Sequence, residues 1–187
     1  MKYLAGAVSV FVLLFIFQTV KAQSPEPYHL LSAQEFAGLP RTNSGDVVAE
    51  TNCYIDFNYH AKSEKGFYKL TSTVQLIFNR DKSWINRKRV TSPSQMEEIM
   101  DHEQGHYFIA YMEQQELLRT VAKTRFDANY QNEASALFDR IHEKYKQLSV
   151  NYDDDTRHML DKQQQHSWDV YFKKRLDYMP PVEMAMN

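Results

Sequence analysis

Cysteine is nearly missing from this 187-residue chain: Cys53 is its single example. One thiol forbids an intramolecular disulfide and excludes a tetracysteine zinc site. Its apolar, β-prone neighbours mark it as a small buried hydrophobe. An excess of positive charge is missing as well. The chain carries 22 Lys and Arg against 24 Asp and Glu, so nothing points to nucleic acid, and Arg87-Lys88-Arg89 reads as solvated surface. A second long apolar run is also lacking, so no membrane span is expected in the mature chain.

The one apolar run lies at the start. Lys2 precedes a run over 3–17, followed by Gln18-Thr19-Val20-Lys21-Ala22. A positive start, a short apolar core and small residues before a cut form a secretory signal, with cleavage expected after Ala22. An uncleaved anchor is the rival, but the run is at the short end for a span. No Cys follows it, so no lipid anchor is expected. The product would be secreted or periplasmic, with about 165 residues, enough for one domain with a core. Without Lys2 and Lys21 its net charge is about −4, ordinary for a soluble domain. The expected organisation is a signal peptide over 1–22, a loosely ordered lead-in over 23–45 with a helical turn near 33–37, a domain over 46–178 and a tail over 179–187.

Two β-prone stretches, 47–59 and 67–78, flank a polar linker ending in Gly66 and predict an antiparallel hairpin. Residues 85–90 are a candidate edge strand. From Ser92 the period turns helical. Ser92 suits a cap, Pro93 the first helical position and Gln95 a capping box. Met96, Ile99, Met100, Ile109 and Ala110 form the apolar stripe. A second helix is expected over 126–148. A third is expected from Asp153 to about 176, with Asp153, Asp154 and Asp155 as acidic start charges. The fold class is therefore α+β: a small antiparallel sheet followed by three long helices.

The first of these helices contains His102-Glu103-Gln104-Gly105-His106, an HExxH motif. Histidines four apart lie one turn above each other and can bind one ion. The glutamate between them is rotated to the side, where it can reach a water rather than the metal. The surface alternative is a pair of solvated histidines, but their register faces the apolar stripe. Catalytic zinc usually takes three protein ligands. The HExxHxxGxxH pattern is excluded, because Ile109 and Met112 occupy its later positions. Two candidates remain for the third ligand: Glu133, one helix downstream, and His158, which has acidic neighbours able to orient its second ring nitrogen.

The motif followed by Ile109, together with Tyr152-Asp153, Thr156, His158, Gln165 and Trp168, resembles the bacterial domain-of-unknown-function family 922, described as predicted secreted zinc-dependent proteases. The resemblance spans roughly 47–168. Met159 departs from it, standing where the family usually has Gly after the tail histidine. The resemblance implies a zincin-like domain with HExxH on the first long helix, Zn²⁺ as cofactor, and peptide or protein substrates. By analogy with the tail, His158 is favoured over Glu133 as third ligand. The expected activity is zinc-dependent peptide hydrolysis, with His102, His106 and His158 on the metal and Glu103 as general base. The rival is a secreted, non-catalytic helical binding or scaffold protein with a structural or vestigial metal site.

Overall fold

A computed structural model of the protein describes residues 28–179. The expected signal segment, its cleavage point, residues 23–27 of the lead-in and the tail from 180 lie outside the described residues. In chain order there follow a 3₁₀ turn (Ala33–Glu35), strands β1 (Ala49–Glu50), β2 (Cys53–Glu64), β3 (Phe67–Phe78) and β4 (Trp84–Ile85), and a second 3₁₀ turn (Arg87–Arg89). Helices α1 (Pro93–Lys123), α2 (Tyr130–Thr156) and α3 (Lys162–Asp177) complete the order. The α+β class is as expected.

β2 and β3 form a long antiparallel hairpin, in register from Cys53↔Phe78 to Glu64↔Phe67. Its two-residue turn, Lys65-Gly66, has positive φ at both positions (48° and 90°). That is the geometry whose twist matches paired strands, and Gly adopts it without steric cost. Leu70 and Val74, four apart on one face of β3, are buried against the helical core. The expected edge strand shrinks to β4, which pairs with β1 through Ala49↔Ile85 and Glu50↔Trp84. The chain then tightens into the second 3₁₀ turn.

α1 starts as its sequence dictates. Ser92 is extended, and its hydroxyl accepts from the Gln95 N–H at 3.1 Å with Pro93 in the first turn. The Gln95 side chain reaches back one residue further than a capping box, accepting from the Thr91 N–H at 2.7 Å.

The later helix boundaries differ from expectation. Phe126 lies before α2 and bridges to Tyr68 through paired backbone bonds of 2.7 and 3.0 Å. α2 runs through Thr156, so Asp153, Asp154 and Asp155 close a helix instead of opening one. Three carboxylates at a helix C-terminus oppose its dipole, and tertiary contacts override that preference. Tyr152 and Thr156 are fully buried, Trp168 Nε1 donates to Asp155 at 3.1 Å, and Asp153 meets histidines of α1. α3 is instead capped by Asp161, whose carboxylate accepts from the Gln164 N–H at 3.0 Å.

Between α2 and α3, Arg157, His158 and Met159 all have positive φ (51°, 51° and 71°). Left-handed backbone costs a non-glycine residue about 1–2 kcal/mol. The Gly of the family pattern at position 159 would carry this φ without strain.

The larger core joins β3, α1, α2 and α3 around Met112, Leu117, Val121, Ile141 and Tyr145. A smaller cluster of Phe36, Ala49, Ile85 and Ile99 ties the lead-in to β1, β4 and the first turns of α1. The described part of the lead-in is thus anchored. Leu31 N–H donates to Gln104 Oε1 at 2.7 Å, and Phe36, 2 % exposed, packs edge-on against Phe78. Phe36→Ala is expected to cost about 3–5 kcal/mol, measured by urea denaturation. Stability within 1 kcal/mol of the parent would mean that the lead-in is not part of the cooperative unit.

Candidate metal centre

α1 carries the motif through the interior, where His102 and Glu103 are buried. The rings of His102 and His106 lie 5.0 Å apart, nearly perpendicular. The last turn of α2 crosses them and supplies Asp153. One oxygen, Oδ1, sits 3.1 Å from His102 Nε2 and 3.0 Å from His106 Nε2. His158 Nδ1 approaches the same oxygen at 3.2 Å from the outer side, and its side chain stays half exposed.

The other ring nitrogens are occupied. His102 Nδ1 meets Gln165 Oε1 at 3.2 Å, and His106 Nδ1 meets Ser149 Oγ at 2.8 Å. The Gln165 amide nitrogen donates to Asp169 at 2.9 Å, which fixes its oxygen toward His102. Each imidazole therefore presents Nε2 to the shared space, with its second nitrogen held as in metal sites.

Ligand atoms from His102, His106 and Asp153 all lie within 4.8 Å of one another. A tetrahedral ion with bonds near 2.0–2.1 Å would separate its ligands by about 3.3–3.4 Å, close to the spacing around Asp153 Oδ1. A second observation fits a cation beside this group: Glu103 Oε2 is buried and has no hydrogen-bond partner among the described residues. The donor set of two imidazoles and a carboxylate suits zinc among other divalent metals.

Electrostatics follow from this packing. Burial pushes the Glu103 carboxyl above the ordinary carboxylate range, outweighing the attraction of His106 and His102. Burial opposes protonation of His106, yet its bond to Asp153 and the charges of Glu103 and Asp153 hold its pKa above the usual value. Burial would raise Asp153, but hydrogen bonds from His102 and His106 and their charge hold its carboxyl far below the usual range.

The crossing of α1 and α2 depends on Gly105. The Tyr152 ring stacks on His102 at 4.6 Å, and its hydroxyl donates to the His102 carbonyl at 3.1 Å. A Cβ on Gly105 would come within 2.6 Å of the Tyr152 ring. Around the cluster opens a cavity of about 300 Å³, walled on one side by residues 47–51. Glu50, also on this wall, is engaged elsewhere, by Trp84 Nε1 at 3.0 Å and by Arg41.

Of the residues singled out from sequence, His102, Glu103, His106 and His158 all line this cavity. Glu133 does not join them. It sits in the first turn of α2, accepting from the Asp127 N–H at 3.2 Å, and twenty helical residues separate it from Asp153, about 30 Å. Asp153 was expected as a helix-start charge and instead occupies the position nearest both motif imidazoles. Ser149, which orients His106, carries no sequence signal. Tyr152 and Gln165 stand in the tail pattern, but their contacts with His102 needed the fold.

A family model described as "Bacterial protein of unknown function (DUF922)" matches residues 18–159. The chain belongs to that family. The match takes in α1, α2 and His158, and ends at Met159, so α3 with Gln165 lies beyond it in this DUF922 chain. No curated protein and no solved structure matches the chain.

Two outcomes follow from this geometry. Alanine is the better helix former by about 1 kcal/mol, so a net stability loss in Gly105→Ala would isolate the cost of displacing Tyr152. That loss is expected at about 1–3 kcal/mol, with weaker metal uptake in a zinc titration. Unchanged melting and unchanged uptake would refute the tight crossing.

The second concerns pH. Asp153 is depressed in the fold, so its contribution is present above the unfolded value near 4 and is lost as pH falls through the folded one. His106 is raised, so its contribution is complete below about 6.5 and is lost as pH rises through the folded value. Asp153→Asn should therefore lower the melting temperature of the metal-free protein most between about pH 4 and 6.5, and least at pH 9. A difference as large at pH 9 as between about pH 4 and 6.5 would contradict the assigned charge pairing.

Proposed function

We propose that this protein is a metal-dependent peptide hydrolase using zinc, exported by the apolar segment over 3–17. The observation that carries the reading is the buried Glu103 carboxylate oxygen, which has no hydrogen-bond partner among the described residues, in a cavity it shares with His102, His106 and Asp153.

His102 and His106 would hold the ion through Nε2 and Asp153 through its carboxylate. Zinc bound there would supply Lewis acidity, acidifying a water and polarising the scissile carbonyl. Glu103 is the general base. It takes a proton from the attacking water and delivers it to the leaving nitrogen. Gln165 and Ser149 keep the two imidazoles oriented. The extended segment over 47–51 supports a peptide substrate. β1 is paired with β4 alone among the described strands, and a strand edge beside the cluster can hydrogen-bond an extended chain.

One observation favours a second reading. His158 Nδ1 lies 3.2 Å from Asp153 Oδ1, and a site closed by both residues would have four protein ligands, the pattern of structural zinc. The protein would then be a non-catalytic exported scaffold.

Glu103→Gln separates the two. As an enzyme, the variant should bind one zinc per chain like the parent and lose at least about 100-fold in peptide turnover. A parent that binds zinc but cleaves no peptide in a mixed library would favour the scaffold. A Glu103→Gln variant as fast as the parent would overturn the assigned base.

A further inference from the structure

The metal cavity does not end at His158. Val48, His158 and Met159 also line an adjoining compartment of about 420 Å³, which adds Asp46, Arg89 and Arg157. Arg87-Lys88-Arg89, read from sequence as solvated surface, thus sends one member into this compartment.

The two guanidiniums differ in their roles. Arg89 Nη1 donates to the carbonyls of Gly45 at 2.8 Å and Val47 at 3.1 Å, and Nη2 donates to the Asp46 carbonyl at 3.4 Å. Its acceptors are neutral, and it forms no ion pair among the described residues while it pins the segment entering β1. Arg157 is exposed, and its side chain makes no hydrogen bond or ion pair among the described residues. His158 and Met159 line both compartments and Arg157 only the outer one, and all three share left-handed backbone. Strain of this kind persists where the surrounding structure enforces it, often at ligand sites. Asp46 is the sole carboxylate lining the compartment, against two permanent positive charges.

We propose that this compartment is a specificity subsite that takes a carboxylate of the peptide substrate, with Arg157 as its recognition residue. The inference rests on the peptide-hydrolase reading above. Guanidinium pairs with carboxylate through two parallel hydrogen bonds, which neither Gln nor Lys on the substrate can reproduce. The carboxylate comes from an acidic side chain or from a free C-terminus. Val48 and Met159 would cover the aliphatic part of that residue.

The test uses the zinc-loaded full-length protein carrying Glu103→Gln, so that binding is read without turnover. Fluorescence anisotropy compares four labelled octapeptides. Three have amidated ends and a central Glu, Gln or Lys; the fourth carries the Gln sequence with a free C-terminus. At least one carboxylate-bearing peptide is expected to bind about tenfold tighter than the amidated Gln peptide, and the arm that gains identifies the source. Adding Arg157→Asn, which keeps a residue tolerant of left-handed backbone, should remove the preference with zinc stoichiometry unchanged. Adding Arg157→Glu should turn it toward Lys.

Equal affinity for all four peptides, a preference that survives Arg157→Asn, or binding of none would overturn the subsite. Failure of the enzyme reading looks different. A carboxylate preference in binding, with no cleavage by the parent, removes the hydrolase and leaves the subsite. Cleavage by the parent without preference does the reverse.

Discussion

Three imidazoles converge on a single oxygen of Asp153, and the close crossing of α1 and α2 makes this convergence possible. The two helices can approach only because position 105 has no side chain. Tyr152 fills the space above it, stacking on His102 and anchoring to that residue's carbonyl. Ser149, Tyr152 and Asp153 lie within about one turn of α2, so one helical stretch orients one motif histidine, packs on the other and supplies the carboxylate between them.

This arrangement spends stability. Burying His102 and Glu103 beside a partly buried aspartate is unfavourable unless each group finds a partner. Asp153 and the histidines satisfy one another. Glu103 keeps one oxygen without a partner among the described residues, a cost of about 1–3 kcal/mol for a buried acceptor. Three successive left-handed residues add strain at the cavity mouth. Two apolar clusters offset these costs on either side. The larger one fixes α1 against β3, α2 and α3; the smaller one fixes β1, β4 and the lead-in against the start of α1. The cavity lies where these two packed regions meet.

Much of this was legible in the sequence, for local reasons. The turn at Lys65-Gly66, the cap at Ser92 and Pro93, the HExxH face of α1 and the tail around His158 depend on residues close in the chain. Periodicity, capping chemistry and left-handed preference act over a few residues and leave a readable trace. The misreadings also share one cause. Asp153, Asp154 and Asp155 carry the local chemistry of a helix start, yet they end α2, because the partners that reward that placement come from α1 and α3. Glu133 was a candidate as a glutamate one helix downstream, but it stands in the first turn of α2 while the last turn meets the motif.

By itself, the sequence determined the α+β class, the hairpin, the first helix and its cap, and the two motif histidines that share one face of that helix with Glu103 turned to their side. Tertiary structure alone decided which carboxylate joins them, which side chains hold the free ring nitrogens, and that Arg157 opens onto a compartment beside the cluster. The physical reason is distance along the chain. Asp153 reaches His106 across 47 residues and Gln165 reaches His102 across 63, and no local propensity encodes which of many polar side chains will close such a gap.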